Sequence, residues 1–119
     1  MQSMPLKLIN ASNQSLLASS VKCCNRFWSR LVGLLGTHSL KEHEACWLIP
    51  CRSVHSFGMH YAIDVYFLNR DKRIVAIEQN LKPNRLTRTY WESYSVIELP
   101  ASDRPKCRIG DKLSIEEMK

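Results

Sequence analysis

Nowhere in the 119-residue chain do the roughly 20 successive apolar residues occur that a helix needs to cross a bilayer, so no membrane segment is expected. Glycine is scarce, with four residues in all. None of them builds a phosphate-cradling loop, and there is no nucleophile elbow and no Cys-x-x-Cys pair. No recognised catalytic motif is therefore present, and no cofactor is implied. Internal repeats, low-complexity tracts and linkers are also missing, and a chain of this length makes a single domain over residues 1–119. The five cysteines are odd in number, and Cys23 and Cys24 are adjacent, so a secreted disulfide framework is not indicated. Near the N-terminus, Asn10, Ser12, Asn13 and Gln14 interrupt any apolar run of the kind a signal peptide needs. These absences point to mostly reduced thiols and a cytoplasmic protein. Acid is short as well: 11 Asp and Glu stand against 17 Lys and Arg, for a net charge of +6 and a pI near 9.2. That excess favours an anionic partner, and it argues about association rather than fold.

What the chain does have is short strand-like segments. Leu6 and Leu8 alternate with Lys7, and an Asn- and Ser-rich turn separates this run from a second over residues 16–24, so a hairpin is expected. Residues 25–35 change period: Phe27, Leu31, Leu34 and Leu35 share a face at helical spacing, with Asn25 placed to cap and Gly36 to terminate a short helix. Further strands are expected over 45–49, 62–68, 73–79, 94–99 and 112–115. In the 62–68 strand, Ile63, Val65 and Phe67 face one way and Asp64, Tyr66 and Leu68 the other. Close-spaced strands with turn signals predict a mainly β protein: a compact antiparallel β-sandwich or jelly-roll-like barrel with one short helix.

The chemistry concentrates in residues 51–68. Asp64 interrupts an apolar strand, and a buried carboxylate must be paired or hydrogen-bonded. Arg30, Arg52 and the backbone amides of residues 55–58 are its candidate partners, in a salt bridge, a loop clamp or a functional site. Cys51, His55 and Met59 recur every four residues. A thiolate, an imidazole and a thioether suit copper or, less well, zinc, but this spacing converges only on a helix, and free Cys and Met more often fill cores. Between residues 70 and 91 lies a basic run, Arg70, Lys72, Arg73, Lys82, Arg85 and Arg88, ending on Trp91. Cations with aromatic platforms are how single-stranded nucleic acid is bound, and a solvated face is the plainer reading.

Several motifs in order resemble the family called Domain of Unknown Function 192. They are Arg30-Leu-Val-Gly33, the stretch from Cys51 through His55 to Met59, the Ile63–Leu68 run, Pro83, the Glu98–Ala101 run, and Gly110-Asp111. The resemblance covers about residues 21–115. It implies a jelly-roll-like antiparallel β fold in which Arg30, His55, Met59 and Asp64 gather in one region. It supplies no activity. Where family members often carry glycine after the Glu-Leu-Pro-Ala run, this chain has Ser102.

The reading that follows is a small binding or accessory module without catalysis. Its cleft would be lined by Arg30, Cys51, His55, Met59 and Asp64 and would take a small molecule or a protein partner. Metal binding at Cys51, His55 and Met59 is one alternative, and nucleic-acid binding on the Arg70–Trp91 run is another.

Overall fold

A computed structural model describes residues 6–24, 40–57 and 59–117 of the chain. Eight strands form: β1 (Leu6–Asn10), β2 (Ser15–Ala18), β3 (Ser20–Cys24), β4 (Glu44–Leu48), β5 (Ile63–Leu68), β6 (Ile74–Leu81), β7 (Ser95–Pro100) and β8 (Leu113–Glu117). They make two sheets, a small one in the order β2-β1-β8 and a large one in the order β3-β4-β7-β5-β6. The mainly β reading holds. Both sheets are open, so the barrel alternative does not. The pairing is not wholly antiparallel either, because β3 runs parallel to β4. The expected strand over residues 16–24 is in fact two. The amides of Ser19 and Ser20 both donate to the His43 carbonyl, at 3.0 and 3.3 Å, and the chain steps there from the small sheet to the large one. There is no helix among the described residues, and the helix expected over residues 25–35 lies outside them.

Alternation in the strands builds two apolar clusters, one on each face of the large sheet. Tyr66, Leu68, Ile97 and Leu99 meet Leu8, Leu17 and Leu113 of the small sheet, which makes the sandwich interior. Val65, Phe67, Val96 and Leu48 point the other way, where Cys51 and Val54 pack on them, with Met59, Tyr61 and Tyr90 half-buried alongside. All six residues of β5 are buried, as expected of a strand with a packed layer on both sides. Each large aliphatic or aromatic side chain so enclosed contributes about 1.5–3 kcal/mol.

Turn chemistry fixes the register. Asn69 Oδ1 accepts from the amides of Asp71 and Arg73, each at 3.0 Å, and closes the β5–β6 hairpin. Gly110 adopts φ +95° and its amide donates to the Ile74 carbonyl at 2.8 Å, a conformation L side chains rarely adopt. Asp111 beside it accepts from Asn10 Nδ2 at 2.8 Å and from the Arg108 amide at 2.9 Å. The Asn10 bond in particular holds the Asp111 carboxyl below its ordinary range. Cys23, Cys51 and Cys107 carry no disulfide, whereas Cys46 is disulfide-bonded.

Candidate functional site

The segment from Cys51 to Phe57 runs antiparallel to residues 84–91 and forms an irregular ribbon over the outer face of the large sheet. Its rungs are main-chain bonds: Tyr90 N to Arg52 O at 2.8 Å, Thr87 N to Val54 O at 2.9 Å, Ser56 N to Arg85 O at 2.9 Å, and Asn84 N to Ser56 O at 3.1 Å. His55 stands opposite Leu86. Side chains complete the rungs the backbone misses. Thr87 Oγ1 accepts from the Val54 amide at 2.9 Å, and Ser56 Oγ donates to Lys82 O at 2.6 Å while accepting from the Arg85 amide at 2.9 Å. Val54, Ser56 and Thr87 are buried, so they form the inward side. Strand alternation then sends His55, Phe57 and Leu86 outward.

Tyr90 pins the ribbon to the sheet beneath. Its hydroxyl donates to Glu78 of β6, and its ring packs on Phe67 of β5 with centroids 4.4 Å apart. Burial, together with the bond to Glu78, pushes the Tyr90 hydroxyl up to about 12. At one end, Cys51 N donates to Tyr94 O at 2.9 Å and Ser93 Oγ to Cys51 O at 2.8 Å.

The outward side has an uncommon composition. Phe57, Leu86 and Trp91 are 47%, 66% and 78% exposed, so half of the exposed large apolar side chains among the described residues lie on this ribbon. The rings of His55 and Phe57 stack at 5.2 Å. Residues 49–63 and 79–91 contain no Asp or Glu, while Arg52, Lys82, Arg85 and Arg88 are all exposed there.

The structure distributes the expected site residues as follows. Arg30 lies outside the described residues. Cys51 is buried in the outer cluster, its thiol directed at the Ser53 carbonyl at 3.1 Å, and Met59 packs against the same cluster. His55 stays on the outward side of the ribbon. Asp64 points to the opposite face of the large sheet. Its partners are not the ones expected from sequence: it accepts from Asn80 N at 2.8 Å, Gln79 Nε2 at 3.1 Å, and Ser102 N and Oγ at 3.1 and 3.3 Å. It therefore clamps the irregular end of β6 to the segment after β7. Among the described residues no three His, Cys, Asp or Glu side chains lie close enough to hold a metal ion.

Of the basic run, Arg85 and Arg88 sit on the ribbon, and Lys82 lies just before it, its carbonyl accepting from Ser56 Oγ. Lys72 and Arg73 belong to the β5–β6 turn, where Arg73 donates to the Gly110 carbonyl at 3.1 Å. Arg70 lies over the Tyr94 ring, 4.2 Å from its centroid. Arg52, Arg70 and Trp91 line a cavity of about 450 Å³, and Asp71 and Glu92 line it too, so the cavity carries both signs of charge.

Sequence reasoning missed Glu98. It lies on β7 between Cys46 of β4 and Val65 of β5, directed to the outer cluster. It is buried, and among the described residues no group donates a hydrogen bond to it. Desolvation pushes its carboxyl up to about 7. The signal was the same as for Asp64, one acid inside an apolar strand. Trp91 had been named with the basic run, but the outward Phe57 and Leu86 were missed because neither segment reads as a regular strand.

The fold and this surface define a small two-sheet β protein with a cationic, partly apolar ribbon over its larger sheet. The chain belongs to the DUF192 family (Uncharacterized ACR), whose profile matches residues 8–115. No curated protein matches it at a significant level. Among solved structures it is similar to a protein of unknown function from Novosphingobium aromaticivorans DSM 12444, with a TM-score of 0.71 and 17% identity over 92% of this chain and 83% of that one. It is also similar to a protein of Sinorhizobium meliloti 1021 described as a "putative transcription regulator", with a TM-score of 0.70 and 20% identity over 96% and 97% of the two chains. At these identities the likeness is one of fold. No helix among the described residues is long and apolar enough to cross a membrane.

Proposed function

We propose that the protein is a non-catalytic binding module for an anionic partner, and that the outward side of the 51–57/84–91 ribbon is its binding surface. One observation carries this: the two segments hold three exposed cations, Arg52, Arg85 and Arg88, and no acid, on a backbone locked by its own hydrogen bonds and by Tyr90. A fixed array of like charge attracts counter-charge and loses little freedom on binding. In this reading His55 belongs to the binding surface, Cys51 and Met59 support it from beneath, and Asp64 holds the sheet that carries it.

Any basic protein collects polyanions at low salt, so the test has to be local. Binding of inorganic polyphosphate is measured across a salt series for the wild type, for Arg85→Ala/Arg88→Ala, and for Lys72→Ala/Arg73→Ala. Both variants lose the same formal charge. The ribbon pair is expected to flatten the slope of log affinity against log salt by about 2, while the turn pair leaves it nearly unchanged. Equal losses from the two pairs would remove the ribbon as the site, and absence of binding would remove the proposal.

A further inference from the structure

We infer that the anionic partner is a single-stranded nucleic acid, its bases laid against Phe57, Leu86 and Trp91 and its phosphates met by Arg52, Arg85 and Arg88. This rests on the anion-binding reading above and adds a chemical identity to it. The added observation is the apolar exposure. A partner made only of charge, such as polyphosphate, gains nothing from an exposed leucine, phenylalanine or indole. A single strand presents phosphate and an unstacked π-face in every repeat, and each needs its own counterpart.

The spacing on the ribbon has that alternation. Along one segment the order is Arg85, Leu86, Arg88, Trp91; along the other it is Arg52, His55, Phe57. Leu86 sits across from His55, and His55 stacks on Phe57, so these three groups form one platform, while Trp91 stands exposed toward the other end of the ribbon and Arg52, Arg85 and Arg88 are exposed on the same two segments. Arg88 lies 5.4 Å from the Tyr90 ring centroid, which orders its guanidinium near the platform. A paired duplex keeps its bases stacked inside and offers this platform nothing. A lipid surface is a poorer fit, because Arg85 and Arg88 bracket Leu86 and break the continuous apolar face that interfacial insertion requires. The 51–57 segment of the ribbon is seven residues long, or roughly 23 Å when extended, enough for a site near the short end of the 4–16 nucleotides seen for small β folds.

Fluorescence anisotropy with labelled oligothymidylate of 4, 8 and 12 nucleotides tests this. Comparison ligands are an abasic sugar-phosphate oligomer of matched length, a blunt duplex, and vesicles of phosphatidylcholine with phosphatidylserine. Wild-type protein is expected to bind oligothymidylate at least tenfold tighter than the abasic oligomer or the duplex. Leu86→Ser and Trp91→Ala are each expected to weaken oligothymidylate binding by about tenfold and to leave abasic binding unchanged. Both side chains are exposed, so both variants fold, and thermal melts confirm it. Equal affinity for abasic and base-carrying oligomers, or tighter binding to the vesicles or the duplex, overturns the nucleic-acid inference and leaves the anion-binding reading standing. Failure to bind any of these polyanions overturns both.

Discussion

Asp64 and Glu98 stand almost side by side on paired strands, yet they occupy opposite faces of the large sheet and meet opposite fates. In the β5–β7 register Asp64 faces Leu99 and Glu98 faces Val65. Both are buried. Asp64 accepts four hydrogen bonds, two of them from backbone amides that would otherwise be orphaned. On the other face nothing among the described residues donates to Glu98, and burial alone drives its carboxyl toward the neutral form. Burial of an acid in a strand therefore says little by itself. The supply of donors decides whether the carboxylate holds structure together or is a cost that varies with pH.

The supply on the Asp64 side comes from a defect in the ladder. Ile63 pairs with Leu81 and Val65 with Glu78, so β6 spends an extra residue there, and Asn80 takes a φ of 55°. A bulge of this kind leaves an amide unpaired, and Asp64 accepts it. The largest effect is accordingly expected at this position. Asp64→Ala would strand the Asn80 and Ser102 amides and cost on the order of 4 kcal/mol in urea unfolding, at 1–3 kcal/mol for each orphaned buried donor. Asp64→Asn keeps one acceptor oxygen and should cost about half as much. An unchanged unfolding midpoint for the alanine variant would refute the clamp.

The matching experiment on the other face reads pH. The Glu98 carboxyl is raised in the folded state from its ordinary 4.5 to about 7, so the folded protein holds a proton that the unfolded chain releases. Its contribution to stability is fully present below pH 4.5 and is lost as pH rises through about 7, a fall on the order of 3 kcal/mol. Glu44 and Asp111 act in the reverse direction, since hydrogen bonds from the Lys41 amide and from Asn10 hold their carboxyls low and their stabilisation is lost in acid. The difference between the wild-type curve and that of Glu98→Gln isolates the Glu98 term. Parallel curves from about pH 5 to about pH 8 would show that Glu98 has a donor and that the contrast with Asp64 is false.

How much of this was legible beforehand varies with how local the cause is. The period-two alternation of Ile63, Val65 and Phe67 against Tyr66 and Leu68 correctly assigned β5 to a strand and divided its side chains between two faces, both of which are buried. The need of Asp64 for partners also followed from its neighbours. Their identity did not, because Asn80 and Ser102 lie 16 and 38 residues away and depend on a bulge that leaves no mark in the sequence. The split of residues 15–24 between two sheets rests on a carbonyl from His43, which is equally non-local. The ribbon was hidden for another reason. Ser56 and Thr87 are polar residues on its inward side, so the apolar alternation that betrays a strand is reversed, and Leu86 and Phe57 look like core when they are surface.

The smallest expected effect lies where the two faces are joined to the ribbon. Tyr90→Phe keeps the ring on Phe67 and removes only the hydroxyl that donates to Glu78. The loss is that of one partly buried hydrogen bond to a charged acceptor, about 1–2 kcal/mol. It should fall on the ribbon more than on the sheet. Hydrogen exchange is expected to quicken at the amides of Tyr90 and Thr87, which bond to Arg52 and Val54, and to leave Ile97 in the middle of β7 unchanged. Because the hydroxyl is raised to about 12, it keeps its proton from about pH 7 to about pH 9, and the effect should not vary over that interval. Glu98 predicts the opposite pattern, a stability change that tracks pH. Uniform acceleration of ribbon and β7 amides would mean that ribbon and sheet open as one unit, and that the outward surface is as rigid as the core beneath it.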